Sequence, residues 1–138
     1  MKEIFTALLT PFNQDQSIDY PGLYRVMDHL LEEGNKSFLL CGTTGETSTL
    51  KLDERRMLVE NILEKYPTIR VIVGICSNST SQVIRHIQMY KDNPRIYAFL
   101  VIVPYYIKPS QSGIFKHFDL IASSTDKNIM IYNIPSRC

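Results

Sequence analysis

The sequence predicts an α/β fold built on a parallel sheet, and three observations lead there. Five apolar runs begin near residues 4, 37, 70, 98 and 128, so a strand recurs about every thirty residues. The runs are continuously apolar, as in strands buried on both faces. Amphipathic stretches of helical length separate them. An open doubly wound sheet and part of a (β/α)8 barrel both satisfy this pattern, and periodicity does not separate them. A whole barrel takes roughly 250 residues, so as a barrel these 138 residues form only a first half.

Ile4 to Leu9 is the first strand, stopped by Thr10-Pro11. Asp19 then caps a helix with Pro21 just inside it; Leu23, Val26, Met27, Leu30 and Leu31 form its apolar stripe, His29 lies off the stripe in solvent, and Gly34 ends it. Strand two is Ser37 to Cys41. The next helix, Leu52 to Lys65, turns Met57, Leu58, Ile62 and Leu63 inward, and Asp53 and Glu54 in its first turn suit the helix dipole. Tyr66-Pro67 breaks it before strand three, Arg70 to Cys76. Ser77 to Thr80 offers caps for a helix over Gln82 to Tyr90, with Ile84, Ile87 and Tyr90 facing in. Strand four, Ala98 to Val103, precedes a helix over Gln111 to Ser123 with Ile114, Phe118 and Ile121 inward and His117 solvated. Strand five is Ile129 to Tyr132. No linker or low-complexity segment interrupts the run, so residues 1–138 read as a single domain, a truncated half-barrel if the architecture is the barrel.

Composition narrows the function classes. The formal net charge is +1 and the basic residues are scattered, which gives no basis for nucleic acid or an anionic membrane as partner. The apolar runs are far shorter than a membrane span, and the N-terminus carries no signal-peptide pattern, so the cytoplasm is the expected compartment. Cys41, Cys76 and Cys138 are odd in number and widely spaced, matching neither a disulfide framework nor a zinc pattern; reduced thiols and no metal are expected.

The residues with chemistry collect where strands end. Gly42-Thr43-Thr44-Gly45-Glu46 follows strand two: two glycines permit a sharp turn, and free N–H groups and threonine hydroxyls suit an anion such as a carboxylate. It lacks the length and the Lys-Ser or Lys-Thr ending of a nucleotide-phosphate loop. A plain turn, with glycine for geometry and threonine for capping, is the competing reading. Tyr105 and Tyr106 follow strand four, and Tyr132 and Arg137 lie at or beyond the end of strand five. Hydroxyls in series can pass protons, and an arginine can grip a carboxylate with two bonds.

Gly42-Thr43-Thr44-Gly45-Glu46, Pro104-Tyr105-Tyr106-Ile107-Lys108-Pro109-Ser110-Gln111 and Tyr132-Asn133-Ile134-Pro135-Ser136-Arg137, with Thr10-Pro11 ahead of them, resemble the dihydrodipicolinate synthase and N-acetylneuraminate lyase family of class I aldolases. Ser136-Arg137 resembles the synthase branch more closely. The resemblance implies a (β/α)8 barrel, of which this chain supplies five parallel strands and four helices without closing it. It implies condensation of pyruvate with aspartate semialdehyde through a Schiff base on a strand-six lysine, in lysine biosynthesis. Carried over by motif, Thr43, Tyr106 and Tyr132 form a proton relay, with Tyr106 reaching a neighbouring subunit's site. Thr44 and the loop amides hold the pyruvate carboxylate, and Arg137 holds that of the second substrate. No cofactor is implied, and a homo-oligomer is. Ile107, Cys76-Ser77-Asn78 and Cys138 depart from the family's pattern.

An imine-forming amine needs to be desolvated in a pocket at a strand end. Lys36, Lys51, Lys65, Lys91, Lys116 and Lys127 fall on helices or connections, Lys2 is terminal, and Lys108 reads as a solvated loop residue. The chain alone is therefore expected to be inactive as a synthase. An unclosed sheet exposes two edges and an apolar interior, which favours self-association. The rival expectation is a non-catalytic protein of the same family that binds a keto acid or an interaction partner.

Overall fold

The computed structural model describes residues 3–136. In chain order the elements are β1 (Thr6–Ala7), α1 (Tyr20–Glu32), β2 (Ser37–Leu40), α2 (Leu52–Lys65), β3 (Arg70–Ile75), α3 (Thr80–Gln88), β4 (Ile96–Ile102), α4 (Gln111–Ala122) and β5 (Asn128–Tyr132). All five strands join one sheet in the order β1-β2-β3-β4-β5, and every pair is parallel. A doubly wound sheet reverses its order at a switch point. This order never reverses, and right-handed crossovers then place every helix on the same face.

The strands divide accordingly. Phe38, Leu40, Val71, Val73, Phe99 and Val101 are fully or almost fully buried beneath the helices, in one core with Leu23 and Met27 of α1, Leu58 and Ile62 of α2, Ile87 of α3 and Ile121 of α4. The opposite parity forms an inner row through paired positions Ala7, Leu39, Ile72, Ala98 and Asn128. The sheet curls about that inner face. Strands β1 and β4 are three spacings apart, about 14 Å if flat, yet Phe5, next to β1, stacks on Tyr97 of β4 with ring centroids 5.9 Å apart. Tyr97 is the extra residue where the register shifts between Val71 and Ile72, and such a bulge bends its strand.

The same arc is tied at its N-terminal end. Arg70 donates from one nitrogen to both Glu3 carboxylate oxygens at 2.9 Å, Ser37 donates to Glu3 at 3.1 Å, and the guanidinium lies 3.9 Å from the centre of the Tyr97 ring. Helix ends are set locally: Asp19 accepts from the Gly22 amide at 2.9 Å, Ser110 from the Gly113 amide at 3.2 Å, and Gly34 leaves α1 at φ +88°.

Several expectations need correction. β1 is two residues long instead of the run Ile4 to Leu9, and Ile4 is exposed. Met57 is 47 % exposed while Val59 is fully buried, because the inward face of α2 runs through Leu58, Val59, Ile62 and Leu63. α3 starts at Thr80 and buries Val83 fully, with Ile84 half-buried, and β4 starts at Ile96. His117 is not solvated: it is 5 % exposed and its Nδ1 is 2.8 Å from Thr80 Oγ1. It sits one residue from Phe118 on the flank of α4 that α3 covers. No helix among the described residues is long and apolar enough to cross a membrane.

Candidate functional site

Strand β2 leads into the Gly42–Glu46 loop through Cys41, which takes a left-handed backbone at φ +55°, and Glu46 leaves the loop at φ +52°. The glycines do not supply those conformations, contrary to the sequence reading. Gly45 is needed for space: a Cβ there would stand 2.9 Å from the Leu8 carbonyl and 3.2 Å from Thr10 Oγ1. Thr10 donates to the Gly45 carbonyl at 2.8 Å, so the first strand's exit loop anchors the second's. Cys41 is buried, and burial pushes its thiol up to about 12, which keeps it protonated and inert.

The loop spends some of its amides on itself. Gly45 donates to the Gly42 carbonyl at 3.1 Å, Glu46 to Thr43 at 3.1 Å and Thr47 to Gly42 at 3.4 Å. The amides and hydroxyls of Thr43 and Thr44 make no hydrogen bond among the described residues, and both residues are exposed. Of the loop amides expected to be free, these two are.

Thr43 and Thr44 line a cleft of about 320 Å³ together with Tyr132 at the end of β5; Ala7, Leu39, Ile72, Leu100 and Met130 give it an apolar floor. A concave apolar site with a few convergent polar groups is the usual form of a small-molecule site. None of the described lysines lines it. Tyr106 is not brought in: it stands on the β4–α4 loop, 91 % exposed, at φ +70°, with Lys108 at φ +45° two residues on. Arg137 lies outside the described residues, as does Cys138.

The Tyr105 amide donates to Asn78 at 2.8 Å, which ties the loop after β4 to the loop after β3. The Cys76 sulfur next to its hydroxyl, and burial after it, raise the Tyr105 phenol above its ordinary range. Sequence reasoning missed Thr47, the third threonine of Gly42-Thr43-Thr44-Gly45-Glu46-Thr47, which is 3 % exposed beneath the loop. Its place in a threonine-rich run was the available signal, but nothing in the run itself marks one threonine as buried.

Sequential parallel order, a curled sheet and hydroxyl groups at the strands' C-terminal ends define a sector of a (β/α)8 barrel with a cleft at its mouth. The chain belongs to the dihydrodipicolinate synthetase family, whose model matches residues 1–138. It is 39 % identical over 135 residues to a 4-hydroxy-tetrahydrodipicolinate synthase of Leuconostoc citreum, covering 97 % of this chain and 46 % of that protein. It is 42 % identical over 135 residues to one of Karelsulcia muelleri, covering 95 % and 44 %. Among solved structures, a chloride-inhibited dihydrodipicolinate synthase of Acinetobacter baumannii complexed with pyruvate superposes at a TM-score of 0.92, with 32 % identity over 99 % of this chain and 47 % of that one. The enzyme of Thermotoga maritima gives 0.91, with 36 % identity over 99 % and 46 %. The chain thus spans about half the length of the relatives it matches, and its open sheet is the first half of their barrel.

Proposed function

We propose that the cleft holds pyruvate by its carboxylate, and that the chain is the substrate-cradling part of a dihydrodipicolinate synthase-like aldolase. The observation that carries this reading is the pair of unbonded amides and hydroxyls at Thr43 and Thr44, facing the same cleft as Tyr132 in a chain of this family. Thr44 and the two amides take the carboxylate, where charge-assisted hydrogen bonds are strongest. Thr43 and Tyr132 hold and pass protons beside the keto group, and the exposed Tyr106 completes the relay in a neighbouring copy. Arg137 binds the carboxylate of aspartate semialdehyde near the entrance. The apolar inner face, where Met130 is 41 % exposed, and the open β5 edge, where Ile131 is 57 % exposed on the helix side, favour association between copies.

With no described lysine in the cleft, this chain by itself binds the keto acid without converting it to an imine. Titration with pyruvate should shift the amide resonances of Gly42 to Glu46 and saturate. Borohydride added to the mixture should leave the mass of the chain unchanged. Unmoved amides at saturating pyruvate would remove the cradle, and a reduced pyruvate adduct would overturn the claim of no imine.

A further inference from the structure

We propose that Thr47 is a positioning residue of the carboxylate cradle, acting through one water molecule seated in the notch beneath the Gly42–Glu46 loop. The proposal rests on the pyruvate reading for its consequence and on the notch for its geometry. Thr47 is 3 % exposed, and its Oγ1 is buried without a hydrogen-bond partner among the described residues. A buried hydroxyl left in that condition bears its full desolvation cost, so a hydroxyl here implies a guest.

The notch supports one. It has a volume of about 20 Å³, and a single water needs roughly 10–15 Å³ and two to four polar partners. Thr43, Thr47 and Tyr132, each of which carries a hydroxyl, are among its lining residues. No described side chain on its walls is a carboxylate or a basic group, so the guest is neutral. Gly74 forms its floor: a Cβ there would stand 2.3 Å from the Cys41 carbonyl oxygen, so β3 passes flush under the loop and the space cannot collapse by a small shift. The notch shares Thr43, Leu100 and Tyr132 with the 320 Å³ cleft, which puts the water between Thr47 and the carboxylate site.

Thr47 is held rigidly enough to act in this way. Its amide bonds to the Gly42 carbonyl at 3.4 Å and its own carbonyl accepts from Leu50 at 3.3 Å. A water bonded to Thr47 Oγ1 and to the hydroxyl of Thr43 or Tyr132 uses one lone pair or proton of that hydroxyl, and so turns the remainder toward the ligand. The loop is thereby preorganised without Thr47 touching the substrate.

Thr47→Val removes the hydroxyl at constant volume, and Thr47→Ser keeps it. The variant Thr47→Val should bind pyruvate about fivefold more weakly, the worth of roughly one hydrogen bond, with a melting temperature no lower than wild type. Thr47→Ser should recover binding to within about twofold, which a role in packing alone would not produce. Independently of pyruvate, a high-resolution crystal structure of the wild-type chain should show a water bonded to Thr47 Oγ1 and to Thr43 or Tyr132. Equal binding by wild type and Thr47→Val, or a Thr47 hydroxyl with no bound water, overturns the proposal. If the wild-type chain does not bind pyruvate, the functional reading fails, and the crystallographic water alone decides this one.

Discussion

At the N-terminal ends of the strands Glu3, Ser37, Arg70 and Tyr97 bond to one another, whereas at the C-terminal ends the hydroxyls of Thr43, Thr44 and Thr47 bond to nothing among the described residues. Backbone strain divides the same way. Among the described residues, the five non-glycine residues with positive φ, Gln16, Cys41, Glu46, Tyr106 and Lys108, all lie in loops that follow a strand, while the left-handed turn from α1 to β2 is made by Gly34. One end satisfies its polar groups internally and uses glycine where the backbone needs it. The other keeps polar groups open and accepts left-handed conformations at about 1 kcal/mol or more each. In a parallel barrel the first pattern supports the fold and the second serves a ligand.

Gly74 lies under the open end, where β3 meets the backbone of Cys41 and Gly42. Gly74→Ala places a methyl 2.3 Å from the Cys41 carbonyl oxygen and 3.2 Å from the Gly42 nitrogen, both backbone atoms that move only with the loop. A loss of about 3 kcal/mol is expected, seen as a drop of roughly ten degrees in melting temperature. Gly34→Ala meets nothing within 4 Å and strains only φ, so it should cost about 1 kcal/mol. Equal melting temperatures for the two variants would mean that space beneath the loop is not the constraint.

A second contrast sets Arg70 against Thr44. Arg70→Ala removes a half-exposed ion pair and a ring contact, together about 1 kcal/mol, and should lower the melting temperature by a few degrees while leaving the pyruvate titration unchanged. Thr44→Val, on an exposed loop position, should keep stability within about 0.5 kcal/mol and weaken pyruvate binding severalfold. If Arg70→Ala impaired binding as much as Thr44→Val does, the two ends would not be separable.

How far the sequence reaches differs between these ends. Strands two to five are legible within about two residues because their apolarity is continuous, and the gathering of Thr43, Thr44 and Tyr132 at one cleft is legible because each follows or ends a strand of one parallel sheet. The short β1 is not legible, since Ile4 and Leu9 carry the apolar signal yet lack a paired neighbour in the sheet. Which amides of the Gly42–Glu46 loop stay free depends on its internal turns, and Thr47, buried beneath that loop, lines a notch with Gly74 of β3, a relation that is not local in sequence. The Arg70–Glu3 pair spans 67 positions and needs the curled sheet before it can form.

The smallest effect concerns a polar atom that is unsatisfied away from the mouth. The Nε2 of His117 is buried without a partner, like Thr47 Oγ1, but it lies between α3 and α4 on the outer layer. Burial alone holds this imidazole below its ordinary range, and His86 is lowered in the same direction by burial and then by Arg55 and Arg85. The unfolded chain therefore takes up protons near pH 6.5 that the folded chain refuses, so stability is full above that pH and falls as the pH drops toward the folded-state values. His117→Gln keeps a group able to bond Thr80 and removes the titration, leaving only the share due to His86. Between about pH 7.5 and about pH 5.5 the wild-type melting temperature should fall more than that of His117→Gln, with pyruvate-induced shifts at Gly42 to Glu46 the same in both at the higher pH. Equal pH slopes would mean that His117 is neutral or charged alike in both states. A change in the pyruvate shifts would mean that the outer helical layer and the mouth are coupled, and the division between supporting and ligand-facing regions would have to be redrawn to include α4.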